Sequence, residues 1–155
     1  MVKLGLDLFD GWDSYSGYQH DGVLTGISLT QESGTGAAPK YRVVSQMPVV
    51  GVLPNPLAGL NDTRAVADIS EVGYYKATTG SHVIVELGAT SRAGFYQYKF
   101  PAGKQASVVI DVSHVLPSFR GQGLSQNYLR GNITTSSNHY EGFGVYDNGC
   151  NLASA

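Results

Sequence analysis

Charge is scarce in this chain: only 14% of its 155 residues are Asp, Glu, Lys or Arg, so the surface must be covered largely by Ser, Thr, Asn, Gln, Gly and Tyr. Such a texture is common in secreted β proteins and in proteins that handle carbohydrate. Ten basic and twelve acidic residues leave a net charge of −2. That balance gives no basic field for a polyanion and argues against nucleic acid as a partner. A single cysteine, Cys150, excludes an internal disulfide, and no Cys/His spacing resembles a zinc site. No segment approaches the ~20 apolar residues of a membrane span. The opening "MVKLGLDLFD" carries acidic residues and lacks the apolar h-region of a secretion leader. As written, the chain reads as soluble, with no membrane partner, and its length suits one domain over 1–155.

A sustained helical stripe is also missing, and 20 glycines make long helices costly. Period-two alternation takes its place. In "SHVIVELGAT", Val83, Val85 and Leu87 share one face; in "GFYQYKF", Tyr96, Tyr98 and Phe100 do so, with Pro101 and Gly103 closing the run. "ASVVIDVSHV" follows at hairpin spacing, so these three runs are expected to form an antiparallel meander. "KYRVVSQMPVVG" is expected to be an edge strand or to stop at Pro48, because proline cannot donate to a ladder. "NYLRGNITT" and "EGFGVYD" are weaker strand candidates. "DTRAVADISEV" is compatible with one short helix capped by Asp62 or Thr63. The expected fold class is all-β, an antiparallel β-sandwich.

Two stretches have the texture of ligand loops. "GWDSYSGYQHDG" holds the single tryptophan, Trp12, beside Asp13 in a glycine-rich polar setting rather than an apolar run. A pyranose presents an apolar C–H face and polar edges, so an indole next to a carboxylate supplies both contacts; a lid folded back on the sandwich is the competing reading. "ISLTQESGTGAAPKY" places Ser33, Gly34, Thr35 and Gly36 in a short turn with hydroxyls and free amides, without the Gly-Lys-Ser/Thr ending of a phosphate loop. Nothing pairs the twelve acids for acid/base work. Asp111, inside an apolar strand, is expected to be satisfied by a neighbouring backbone or hydroxyl group. His20, His82, His114 and His139 form no nucleophile constellation, and Arg64 and Arg92 are expected to be structural arginines. "NDT" at Asn61 and "NIT" at Asn132 are N-glycosylation sequons, consistent with secretion.

The stretches "MVKLGLD", "GWDSYSGY", "GISLTQESGTG", "GYYKA", "TSRAGFYQYKFP" and "VVIDVSH" occur in order and at fitting distances. Together they resemble the N-terminal domain of glycoside hydrolase family 92, the exo-acting α-mannosidases, and most of all its fungal members. The resemblance is clear from Met1 to about His114 and fainter beyond. It implies a β-sandwich, here an incomplete one, followed by a helical (α/α) barrel that this chain does not reach. It implies a secreted enzyme that removes terminal mannose from N-glycan-type mannosides with inversion. Calcium is the implied cofactor, held mainly by the helical catalytic domain, which also supplies acid and base. The chain itself then carries no catalytic or metal-ligating residue. Carried over by position, Trp12 and Asp13 line the mannose side of the cleft, and Ser33, Gly34, Thr35 and Gly36 form the adjoining loop. Many members have histidine just before that loop, where this chain has Leu29 and Gln31. The alternatives are a glycan-binding or structural sandwich without chemistry, and a truncated, inactive fragment.

Overall fold

The computed structural model describes residues 4–8, 10–12, 19–29, 44–117 and 127–147. Every element among them is a strand: β1 (Gly5–Asp7), β2 (Gly26–Ser28), β3 (Ser45–Val50), β4 (Ile69–Glu71), β5 (Tyr74–Thr78), β6 (Ile84–Ala89), β7 (Gly94–Lys99), β8 (Ala106–Asp111), β9 (Tyr128–Ser136) and β10 (His139–Tyr146). They form two four-stranded antiparallel sheets, β1-β2-β3-β8 and β4-β5-β6-β7, and the hairpin β9-β10. The fold is an antiparallel β-sandwich.

The core follows from the alternation. Val83, Val85 and Leu87 are buried, with Ala77 beside them, and the facing sheet contributes Leu6, Leu8, Leu24, Ile27 and Met47. Tyr96, Tyr98 and Phe100 pack against this cluster, while Phe95, one position out of phase, is 60% exposed. β6 and β7 thus turn alternate side chains toward the other layer, where removal of apolar surface stabilises at roughly 25 cal/mol per Å².

The structure overturns three expectations about elements. The run 106–111 does not continue the meander: β8 pairs with β3 in the opposite sheet, from Ala106↔Val50 to Asp111↔Ser45. Pro101 has no donor to extend the ladder, and Gly103 turns at φ 72°, so the connection crosses between layers. Pro48 neither ends β3 nor places it at the edge, because β3 lies between β2 and β8. The ladder to β2 is confined to Ile27↔Gln46, so at Pro48 that flank of β3 carries no ladder bond to lose. The segment 62–72 is not helical. Asp62 bridges Leu24, Arg64 bridges Thr79, and Ile69–Glu71 is β4. Asp62 does accept backbone hydrogens, but from Thr63 and from the distant Ser81 rather than from a first helical turn.

Candidate functional site

The described residues on either side of the segment that follows β1 lie against each other. Leu8 is buried just after β1, and Gly22 packs against it. A Cβ on Gly22 would stand 2.4 Å from Leu8 O, so only glycine lets the two approach this closely. Beyond it, Thr25 N donates to Asp7 O at 2.9 Å.

Within the loop, Asp10 and Gln19 bind each other reciprocally. Gln19 Nε2 donates to Asp10 Oδ1 at 2.9 Å, and Asp10 N donates to Gln19 Oε1 at 3.2 Å. The same Asp10 oxygen accepts Trp12 N at 2.8 Å across Gly11, whose φ of 98° bends the chain there. This is the aspartate turn that the residue type favours. The turn fixes the backbone at Trp12 and leaves its indole 62% exposed.

The loop is anchored in turn to the β4-β5 side of the sandwich. Arg64 Nη2 donates to Gln19 O at 3.0 Å, and Arg64 Nη1 stands 2.5 Å from Asp68 Oδ2, which also accepts Tyr75 OH at 2.6 Å. Both charged side chains are nearly buried, at 7% and 5% exposed, so the ion pair is largely removed from water and its breakage would be costly. A cleft of about 490 Å³ runs between His20–Gly22 of the loop and residues 63–68.

A second polar group lies inside the first sheet. Asp7 is fully buried; its Oδ2 accepts Ser28 Oγ at 2.5 Å and lies 3.2 Å from His114 Nε2, which is at ion-pair distance without a well-directed hydrogen bond. Gly26 makes room for this group, because a Cβ there would meet Ser45 Oγ at 2.1 Å and Asp7 Oδ2 at 3.1 Å. Ser45 and His114 also border a cleft of about 440 Å³ beneath residues 56–60. The buried oxygen of Asp7 faces the strands rather than open solvent, so the arrangement is suited to fixing β1, β2 and the end of β8 together.

The profile of the glycosyl hydrolase family 92 N-terminal domain matches residues 1–154. The chain belongs to this family. No curated protein matches it. As a family 92 N-terminal domain it is part of a glycoside hydrolase lineage that acts on glycans, and full-length members carry a further catalytic domain.

Of the residues expected to contact substrate in this family 92 domain, Trp12 is described and exposed; Asp13, Ser33, Gly34, Thr35 and Gly36 lie outside the described residues. Asn61 is exposed just before the Leu24↔Asp62 bridge, and Asn132 is exposed on β9. Among the described residues no group of three or more His, Cys, Asp or Glu is placed to hold a metal ion. The acids have other employment: Asp62 with Ser81, Asp68 with Arg64, Glu86 with Lys99, and Asp111 with Ser113, the last as its strand position led one to expect. Arg64 is the structural arginine expected, whereas Arg92 is exposed. Gln19 escaped the sequence reading, in which Asp7 and Asp10 were weighed only among the twelve unpaired acids. The order Asp10-Gly11-Trp12 does carry the signature of an aspartate turn, but nothing local announces that Gln19 and Arg64 complete it.

Proposed function

We propose that the chain forms the carbohydrate-contacting wall of a secreted exo-α-mannosidase of fungal type. In this reading Trp12 and Asp13, with Ser33, Gly34, Thr35 and Gly36, hold the terminal mannose of an N-glycan-type mannoside. The observation that carries it is the indole of Trp12, 62% exposed on a loop whose backbone at Trp12 is held by Asp10, which Gln19 and Arg64 hold in turn. An aromatic plate carried on a backbone that is already fixed loses less freedom when a pyranose lies on it.

Acid and base belong to the helical catalytic domain. Inversion requires two carboxyl groups about 6.5–9.5 Å apart with room for water between them, and the buried acids Asp7 and Asp68 are bound to internal partners. Calcium, which would polarise and orient the sugar, enters through the same family reading. In this reading its ligands belong mainly to the helical catalytic domain.

Trp12 is the single tryptophan, and its fluorescence therefore reports this site alone. Titration with methyl α-mannoside is expected to change that emission saturably, with methyl α-galactoside ineffective at the same concentration. Trp12→Ala in the enzyme that carries this domain should lower kcat/KM on α-mannosides while leaving Tm in place. An emission indifferent to every sugar, or a variant with full activity and a lowered Tm, would assign Trp12 to packing. Saturable mannoside binding with no mannose released by the full enzyme would favour a glycan-binding module.

A further inference from the structure

Successive side chains of β9 and β10 alternate between two faces. One face turns to the sandwich. Tyr140 OH accepts Gln46 Nε2 at 3.0 Å, Tyr146 OH donates to Val112 O, and the Tyr128 and Tyr146 rings meet edge-on with centroids 5.8 Å apart. The opposite face points outward and holds Asn132 and Thr134 of β9 with Phe143 and Glu141 of β10, in the register Asn132↔Phe143 and Thr134↔Glu141. Phe143 is 59% exposed, and among the described residues no other ring and no part of the core cluster covers it.

Asn132, Ile133 and Thr134 form a sequon. The period of two puts its amide and its hydroxyl on the same outward face, and the cross-strand register sets a bare phenyl ring directly against the amide. Opposed Cβ atoms in such a pair are about 4.5–5.5 Å apart, a spacing within reach of a sugar attached to one of them. We propose that Asn132 is N-glycosylated and that the C–H face of its first N-acetylglucosamine lies on the ring of Phe143, so that the glycan covers the outer apolar face of the hairpin.

In the transfer, Asn132 Nδ2 forms a bond to C1 of a lipid diphosphate-linked oligosaccharide. The C1–O bond to the diphosphate breaks, the lipid diphosphate leaves with the electron pair, and one amide proton passes to the transferase. The other sequon lacks this arrangement. Asn61 is in no strand, so no cross-strand ring faces it, and the Thr63 hydroxyl is packed into the space left by Gly80, where a Cβ would stand 2.2 Å away.

The proposal rests on passage through the secretory pathway, which belongs to the reading above. The test supplies that passage by adding a leader to the chain, so its failure is distinct from failure of the mannosidase reading. Glycopeptide mass spectrometry of the chain from a eukaryotic secretory host should find Asn132 occupied. After endoglycosidase trimming to one N-acetylglucosamine, the protein should melt about 2–4 °C above Asn132→Gln. In a Phe143→Ala background that difference should vanish, and because the comparison is made within each background, any loss from the alanine itself cancels. An empty Asn132, or an equal glycan-dependent shift with and without Phe143, overturns the proposal.

Discussion

Tyr98 donates its hydroxyl hydrogen to Gln46 Oε1 at 2.9 Å, joining β7 of one sheet to β3 of the other through the core. The other end of the same amide, Nε2, donates to Tyr140 OH at 3.0 Å and brings in the β9-β10 hairpin. Gln46 is 9% exposed, so water replaces neither bond well. Tyr98→Phe removes one bond and should cost about 1–2 kcal/mol in urea unfolding. Gln46→Ala removes both bonds and strands the partly buried Tyr98 phenol, while Tyr140, 38% exposed, can turn to water, so it should cost about 2–3 kcal/mol.

The phenols of Tyr98 and Tyr96 titrate well above their ordinary value of 10.0, chiefly because burial disfavours the phenolate. Neighbouring tyrosines add to this in both cases, and Asp7 adds to it at Tyr96. Among the described residues Tyr96 OH has no hydrogen-bond partner, so nothing offsets its desolvation. A raised folded-state pKa favours the folded form below the unfolded value, and that advantage is lost as pH rises toward the folded value. Stability should hold up to about pH 10 and then decline. The ultraviolet phenolate signal should show tyrosines that ionise only as the near-ultraviolet circular dichroism collapses. Their ionisation in the intact fold near pH 10 would contradict the burial argument.

Gly26 is a packing requirement with a named obstacle. An added Cβ would lie 2.1 Å from Ser45 Oγ and 3.1 Å from Asp7 Oδ2, so Gly26→Ala has to push aside a hydroxyl and press on a buried carboxylate. The expected cost is about 2 kcal/mol. Ser45→Ala takes away the nearest atom, so the double variant should recover about half of that loss. Strict additivity of the two substitutions would mean that the clash is with something else.

The legible parts of this fold were those written in short-range period. Val83, Val85 and Leu87, and Tyr96, Tyr98 and Phe100, declare their buried faces because alternation needs only near neighbours in sequence. The pairing of β8 with β3 spans the chain from 45 to 111, and no local pattern distinguishes it from a third meander strand. The site divides in the same way. Trp12 stands out by composition, and its exposure accords with a loop rather than an apolar run. The support behind it, from Gln19 through Arg64 and Asp68 to Tyr75, joins residues more than fifty positions apart through single hydrogen bonds. Asp7 was one unpaired acid among twelve in the sequence and is fully buried against Ser28 and His114, an arrangement created by register.

Asp10 is the hinge of the proposed sugar site, since one of its oxygens accepts both Trp12 N and Gln19 Nε2. Asp10→Ala leaves the indole in the sequence but removes the bond that holds the backbone beneath it. The lost turn bond resembles a lost helix cap, about 1 kcal/mol. That energy should appear mainly as local order, because Asp10 is exposed and outside the core cluster. Fluorescence anisotropy of Trp12 should fall while Tm moves by only a few degrees. If binding depends on a preoriented plate, mannoside affinity should drop by about fivefold, the ratio that such an energy sets. Asp10→Asn keeps an acceptor oxygen for Trp12 N and should restore most of the anisotropy and affinity. An alanine variant with unchanged anisotropy would place the restraint on Trp12 elsewhere, and one with lowered anisotropy but intact affinity would separate the orientation of the indole from sugar binding.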